Sequence, residues 1–478
     1  MEKCHVAVIM VPFPAQGHLN QLLQLSCQIT SYDIPVHYIG SAVHNRQAKH
    51  RAHGLNPHDI AKIDFHDFPT PSFASPPPNP NSRDKFPIQL LPSYQATLSL
   101  RQPVTAYLRA MSAKANRVIV IHDSMMAYVV QDVSLIPNVE SYAFNSISAF
   151  CLASFSCENT NKCFPKELPS YEGCTPDEIN DFVALQMEPL KRRNGDIYNT
   201  CRLIEAPYLD LLDREEEVNS TKRKSWAIGP ILPTKLSSNG QQKCLEWLDK
   251  QEAKSVIYVT FGTTTSMSDE EIEELALGLE QSKQRFLWVL RDADKGNVFH
   301  GEARRGKLPQ GFEERVKEVG IVVRDWAPQI EILAHESTGG YMSHCGWNSC
   351  IESITMGVPV AAWPMHSDQP RNTMLVTEVL KIGLVVREWT HREELVKAST
   401  IGNVVKRLMA SEEGNVIRKR AEDLGATVRQ ATEKGGVSRV EFDSFIAHIT
   451  RDNDLLRKET SLSSSLSCDT SSPHTSDV

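Results

Sequence analysis

The chain reads as an α/β protein made of two Rossmann-like domains that face each other across a cleft. Three observations predict this. An apolar, β-rich run is followed by a turn, a helically spaced apolar set and a second extended run, which is the order of a β-α-β unit. The same alternation starts again near residue 255. Between the two series lies residues 229–242 (GPILPTKLSSNGQQ), whose Pro, Gly, Ser and Asn content reads as a linker.

Taken in order, residues 5–11 form the first predicted strand, and a Pro/Gly turn follows. Leu19, Leu22, Leu23 and Ile29 then recur at helical spacing, and residues 36–40 resume an extended pattern after Pro35. Strands joined by such a crossover pair in parallel. Residues 118–121 are a later strand of the same kind. Residues 68–81 (FPTPSFASPPPNPN) carry too much proline for a core strand or helix, so a stiff loop near the cleft or surface is expected.

The second series opens with the strand at 255–261 (SVIYVTF), and Ser268 with Glu271 makes a capping box for the next helix. Residues 285–291, 320–324 and 358–363 read as further strands, and a short run at 340–343 precedes His344. The chain therefore divides into residues 1–235, a connecting segment 236–245, a second domain 246–455, and a Ser-rich tail 456–478 expected to be disordered.

The bulk properties narrow the class. The 478 residues suffice for two or three domains. A formal charge of -8 argues against a nucleic-acid surface, and the short basic runs 191–193 and 222–224 read as solvated faces. Eleven cysteines without a CxxC pair suit free thiols in a reducing compartment. The apolar run at 6–11 is too short for a signal peptide and is broken by Pro12 and Pro14. No segment approaches the roughly 20 apolar residues that span a bilayer. A soluble, cytoplasmic monomer without a membrane or nucleic-acid partner is the expectation.

Ligands of open α/β sheets bind beyond the carboxyl ends of the strands. His18, Asp123, Trp326, His344 and Asp368 all fall at such places. A histidine at a strand-to-helix turn is often structural, but near-neutral imidazole is also the usual general base for a hydroxyl proton. Asp123 is its candidate partner, since a carboxylate on the far ring nitrogen fixes the tautomer. Asp123 alternatively caps the next helix, a task Ser124 does equally well. His122 is a rival base that strand alternation points to the opposite face.

Trp326 offers a flat apolar face for a nucleobase, and the Ala327 backbone lies next to it. Gln329 and Glu352 are suited to ribose hydroxyls, with Glu352 on a helix that begins near Asn348 and ends at Gly357. The turn 344–349 leads into that helix N-terminus, where free N–H groups and the dipole favour a diphosphate. His344, Asn348 and Ser349 add donors, and Thr265 arrives from the FGTTTS turn. Two DxD patterns, Asp292 with Asp294 and Asp452 with Asp454, lie apart from these residues in charged loop-like sequence and read as chance.

Residues 326–369 (WAPQIEILAHESTGGYMSHCGWNSCIESITMGVPVAAWPMHSDQ) resemble, position for position, the nucleotide-sugar signature of plant secondary-product glycosyltransferases. The span from about residue 5 to 450 is similar to family 1 plant UDP-glycosyltransferases, which implies the GT-B fold. The resemblance assigns His18 as base and Asp123 as its partner. It places Thr265, His344, Asn348 and Ser349 on phosphate, the Trp347 backbone on the sugar, and Asp368 and Gln369 on sugar hydroxyls, the last residue favouring glucose. It implies transfer from UDP-glucose to an acceptor hydroxyl, with no separate cofactor. The helix N-terminus can stabilise the leaving diphosphate, so metal-independent transfer is expected, and one displacement without an enzyme nucleophile is inverting.

Several strings, VPFPAQGHLNQLLQLS, VIHDSMMAYVVQDV and SYAFNSISAF among them, resemble the zeatin O-glycosyltransferase subgroup. That implies the side-chain hydroxyl of a zeatin-type cytokinin as acceptor, although relatives of the subgroup also act on phenolics such as isoflavonoids. Phe144 and Phe150 are left open between pocket wall and core. The Ser-rich extension beyond residue 455 is longer than the subgroup leads one to expect. A nicotinamide-dependent oxidoreductase is disfavoured because no GxGxxG follows the first strand. A non-catalytic receptor does not need a base pair.

Overall fold

The computed structural model describes residues 4–52, 54–156, 164–165, 167–218, 223–233 and 243–451. The tail 456–478, most of the connecting segment and the pair Asp452/Asp454 lie outside the described residues. The first half contributes seven strands: β1 (Cys4–Val11), β2 (Val36–Ser41), β3 (Ile63–Phe68), β4 (Ala115–Asp123), β5 (Val139–Asn145), β6 (Gly195–Tyr198) and β7 (Lys224–Ala227). They pair in parallel in the order β3-β2-β1-β4-β5-β6-β7. The second half adds β8 (Val256–Thr260), β9 (Arg285–Val289), β10 (Gly320–Val323), β11 (Thr338–Ser343), β12 (Val360–Ala362) and β13 (Gly383–Val385). These are also parallel, in the order β10-β9-β8-β11-β12-β13.

Both sheets reverse direction of growth once, between β1 and β4 and between β8 and β11. Such switch points leave a crevice at the strand ends, because the flanking helices depart to opposite faces. The strands are apolar on both sides because helices cover both sides. On β1, Val6, Val8 and Met10 join one buried cluster while Ala7, Ile9 and Val11 join another. On β8, Ile257 and Val259 face one layer and Val256 and Tyr258 the other. The predicted helical stripe Leu19, Leu22, Leu23 and Ile29 is fully buried on the helix Gln16–Thr30. The capping box also forms: the Ser268 hydroxyl accepts from Glu271 N, and the Glu271 carboxylate accepts from Ser268 N.

Five strands escaped the pattern reading, namely β3, β5, β6, β7 and β13. Each is short, polar or glycine-bearing, as in IDFHDF or GDIY, so sheet pairing rather than local periodicity creates it. The last helix, Val437–Ile449, was also not anticipated where it lies. Phe442, Phe445, Ile446 and Ile449 enter the buried cluster of β1 and β4, in the first half of the chain. Glu441 fastens it there, accepting from Ala227 N at 2.9 Å and from Arg202 Nε at 2.8 Å. Cys27, Cys151, Cys174, Cys201, Cys244, Cys345 and Cys350 are free thiols. Among the described residues no helix is long and apolar enough to cross a membrane.

The halves touch along the cleft. The proline-rich stretch runs as an extended loop there, with Ser75 Oγ accepting from Asn297 N at 2.9 Å. Phe73 packs where a side chain on Gly296 would sit. Arg51 reaches across to Asp294 at 2.5 and 3.0 Å.

Candidate active site

The ends of β1 and β4 put His18 and Asp123 side by side. The helix after β1 begins at Gln16, so His18 stands in its first turn, and Asp123 is the last residue of β4. His18 Nδ1 lies 2.7 Å from Asp123 Oδ2. The aspartate is fully buried, while a quarter of the imidazole side chain is exposed. With Nδ1–H donating to the carboxylate, Nε2 keeps its lone pair. Burial alone depresses the imidazolium, but the Asp123 charge and hydrogen bond outweigh it. Asp368 in the second half adds to them, and the net shift is upward from the ordinary 6.5.

Sequence reasoning missed a third partner: Ser146 Oγ, just after β5, sits 2.9 Å from the same Nδ1. Its strand lacked a clean apolar pattern, so no signal marked it. The rival His122 is buried and turned away, Nδ1 facing the Asp123 carbonyl at 2.9 Å, and burial lowers it to about 4. Asp123 also does what its alternative reading asked, since Oδ1 accepts from Met125 N at 2.9 Å. The two readings coexist on the two carboxylate oxygens. Phe144 and Phe150, left open by the sequence, are fully buried in two different apolar clusters and are core.

The second sheet gathers the other candidates. The helix Trp347–Met356 starts after Gly346 with no side-chain cap and ends at Gly357 in the left-handed region, φ 71°. Its N-terminus follows the end of β11 by a three-residue turn. His344 lies just before it, with its ring close to the Cβ positions of Gly262 and Gly346, where a side chain would come within 2.6 Å. Only glycine fits on either flank. Burial lowers His344 to about 4, and its Nδ1 has no hydrogen-bond partner. Thr265 Oγ1 is likewise buried without a partner. Buried polar atoms left open are rare in folded chains. His344 directly precedes a helix N-terminus, and its ring meets Gly262 of the turn that carries Thr265, a donor set that fits a diphosphate.

Trp326 and Ala327, both half-buried, follow β10. The Arg51 guanidinium lies 4.7 Å from the centre of the Trp326 ring and that of Arg291 lies 5.1 Å away. Gln329 Nε2 donates to Glu352 Oε2 at 2.7 Å and to Ser349 Oγ at 3.1 Å, while its carbonyl accepts from Tyr341 OH at 3.1 Å. Burial raises Glu352 to about 7, against the Gln329 bond that lowers it. Asp292 and Asp294, the one DxD pattern within the described residues, are engaged by Ser266 and by Arg51 and Arg291.

Asp368 and Gln369 end the cassette. Asn372 Nδ2 donates to Asp368 Oδ2 at 2.7 Å, and the Trp347 N–H also bonds this carboxylate. Burial raises the Asp368 carboxyl above its ordinary range, against these bonds and the His18 charge. Gln369 Oε1 accepts from Met365 N and His366 N at 2.8 and 3.0 Å, which holds the turn before it. The Trp347 indole is buried and donates to Asn199 O at 2.8 Å, so its ring is committed to the first half of the chain. Asn348 spans the crevice: Nδ2 donates to Gly17 O at 2.9 Å and Oδ1 accepts from Gln21. The residue before the imidazole and the start of the helix Trp347–Met356 are thus in direct contact.

A base-like pair on one wall and a nucleotide-like cassette on the other define a two-domain GT-B glycosyltransferase architecture. Comparison with known proteins agrees. Residues 4–233 match the model of the glycosyltransferase N-terminal domain, and residues 234–412 that of UDP-glucoronosyl and UDP-glucosyl transferase. The chain belongs to the UDP-glycosyltransferase family. It is 54% identical to a zeatin O-glucosyltransferase of Phaseolus lunatus, over 93% of this chain and 97% of the relative. It is 53% identical to a zeatin O-xylosyltransferase of Phaseolus vulgaris, over 94% and 99%. Within the family it therefore groups with these zeatin O-glycosyltransferases. A Phytolacca americana UGT2 structure complexed with UDP-2fluoro-glucose and pterostilbene superposes with a TM-score of 0.71 at 26% identity, covering 94% of this chain and 100% of that one.

Proposed function

We propose that this UDP-glycosyltransferase transfers glucose from UDP-glucose, with inversion, to the side-chain hydroxyl of a zeatin-type cytokinin. The observation that carries the chemistry is the His18–Asp123 pair, held within electrostatic reach of Asp368 across the cleft. His18 Nε2 takes the acceptor hydroxyl proton as the oxygen attacks the anomeric carbon. The new C–O bond forms as the bond from that carbon to the diphosphate breaks, and UDP leaves with the electron pair. Asp123 stabilises the imidazolium that results. One displacement without an enzyme nucleophile inverts the anomeric centre.

In this reading Trp326 stacks the uracil, the Ala327 backbone pairs with its edge, and Gln329 and Glu352 hold the ribose. The helix N-terminus with Thr265, His344, Asn348 and Ser349 takes the diphosphate, while the Trp347 backbone, Asp368 and Gln369 take the sugar. Helix N–H groups and side-chain donors stabilise the leaving group, so transfer proceeds without a metal ion. Undiminished turnover in EDTA supports this, and a loss rescued by Mn²⁺ contradicts it.

The acceptor assignment rests on the similarity to the Phaseolus enzymes. Near-equal identity to a glucosyl- and a xylosyltransferase favours a second reading for the donor, UDP-xylose. Mass spectrometry of reactions pairing each donor with zeatin, an isoflavonoid and a terpenoid alcohol decides both points. An O-glucosyl zeatin is expected. Transfer to the isoflavonoid alone would remove the cytokinin assignment, and an α-linked product would remove the single displacement.

A further inference from the structure

One buried amide joins the two walls of the crevice. Gln21 follows His18 by three residues on the same helix, so the two side chains lie on one helical face. Its side chain is 3% exposed, and every polar atom of it is engaged. Nε2 donates to Ser146 O at 3.1 Å and to Asn348 Oδ1. Oε1 accepts from Asn199 Nδ2 at 2.9 Å.

Each partner has a second task at the site. Ser146 places its hydroxyl 2.9 Å from His18 Nδ1, beside the Asp123 carboxylate. Asn348 stands at the start of the helix Trp347–Met356 and binds Gly17 O, the carbonyl immediately before His18. Asn199 takes the indole N–H of Trp347 on its own carbonyl at 2.8 Å. The approach is close as well, for a Cβ on Gly17 would come within 3.0 Å of Asn348 Nδ2.

We propose that Gln21 is a positioning residue for glycosyl transfer, whose single amide sets the orientation of His18, through Ser146, and of Asn348 on the donor side. The inference rests on the reading of His18 as base and of the helix N-terminus as the diphosphate site. Geometry of reacting groups matters steeply in a displacement, and a misplacement of about 1 Å can cost on the order of 100-fold. A group that registers base and leaving-group site to each other therefore acts on turnover and on donor binding together, without touching either substrate.

Gln21→Met tests this, because methionine nearly conserves volume and removes all three hydrogen bonds. UDP affinity by calorimetry is expected to weaken roughly three- to tenfold, the effect of one lost hydrogen bond, and kcat with zeatin and UDP-glucose to fall by at least as much. In an Asn348→Ala background the same change should alter UDP affinity less than twofold, because its partner is already gone. Gln21→Glu keeps the bond to Asn199 but loses both donations, so it should resemble Gln21→Met. Thermal transitions identify the variants that fold. Wild-type affinity and kcat in Gln21→Met, or additive losses in the double variant, overturn the proposal. A wild-type enzyme inactive toward zeatin would instead overturn the acceptor reading, and the UDP cycle would still decide the role of Gln21.

Discussion

Replacing Asp123 by asparagine tests the base assignment most directly, because the surroundings dictate which way the new amide points. Oδ1 accepts from Met125 N at 2.9 Å, and Oδ2 takes the Nδ1–H of His18 at 2.7 Å. An amide has one oxygen and one NH₂ group. Turning its oxygen toward Met125 N presents NH₂ to Nδ1, so the histidine must put its proton on Nε2, the atom that has to accept one. The opposite orientation sets NH₂ against an N–H in a fully buried site, which costs about 1–3 kcal/mol for the unmade bond. The wrong tautomer therefore dominates. Turnover at the pH plateau should fall by roughly 10²–10⁴, the usual contribution of a general base, with UDP affinity within about twofold of wild type.

The pH profile carries an independent sign. Asp123 is among the groups that raise His18 above 6.5, and activity needs the neutral ring, so the acid limb of kcat/KM lies above that value in the wild type. Neutralising residue 123 leaves burial, which lowers the imidazolium, so the limb moves to more acid pH. Stability follows the same linkage. A raised folded value stabilises the fold fully below about 6.5 and loses that contribution as pH rises through the folded value. The Tm lost on substitution should thus be greater at pH 5.5 than at pH 8.5. Steady-state kinetics from pH 5 to 9 with matched melting curves measure all of this. A plateau within threefold of wild type, or a limb displaced to alkaline pH, would refute the reasoning.

Other substitutions separate donor binding from folding. Thr265→Val removes a buried hydroxyl that has no partner, so Tm should hold or rise while KM for UDP-glucose increases roughly three- to tenfold; a fall in Tm with KM unchanged contradicts the phosphate role. Glu352→Gln removes a carboxyl that burial holds at about 7, and whose ionisation costs stability increasingly as pH rises from 4.5 through 7. The variant should gain Tm at pH 8 and little at pH 4.5, at the expense of UDP affinity, which calorimetry reads. Phe445→Ala opens a cavity in the first-half cluster and should destabilise by about 3–5 kcal/mol in urea melts. Limited proteolysis should then release fragments of residues 4–233 first, and protection there would argue against the helix holding that half.

Much of the site was legible because its parts obey local rules. A strand end followed by a Gly-bearing turn marked His18, and a His-Cys-Gly-Trp-Asn-Ser turn before a helix marked the candidate diphosphate site. Both depend on neighbours within a few residues. Ser146, Gln21 and Arg51 were not legible, because their roles exist only through contacts between residues far apart in the chain, such as Ser146 with His18 at a separation of 128, Arg51 with Asp294 at 243 and Gln21 with Asn348 at 327. The strands β3, β5, β6, β7 and β13 were hidden for the related reason that pairing partners, not their own periodicity, stabilise them.

By itself the sequence determined the alternation of strand and helix, the doubled α/β series and the chemical inventory at the strand ends. These follow from periodicity, turn chemistry and the side chains themselves. Tertiary structure alone decided that β1 and β4, and β8 and β11, are the neighbours that open the crevice. It also decided that the last helix returns to the first sheet and that Asn348 reaches Gly17. Strand order and cleft register are set by burial summed over the whole core, and no short window of residues contains that sum.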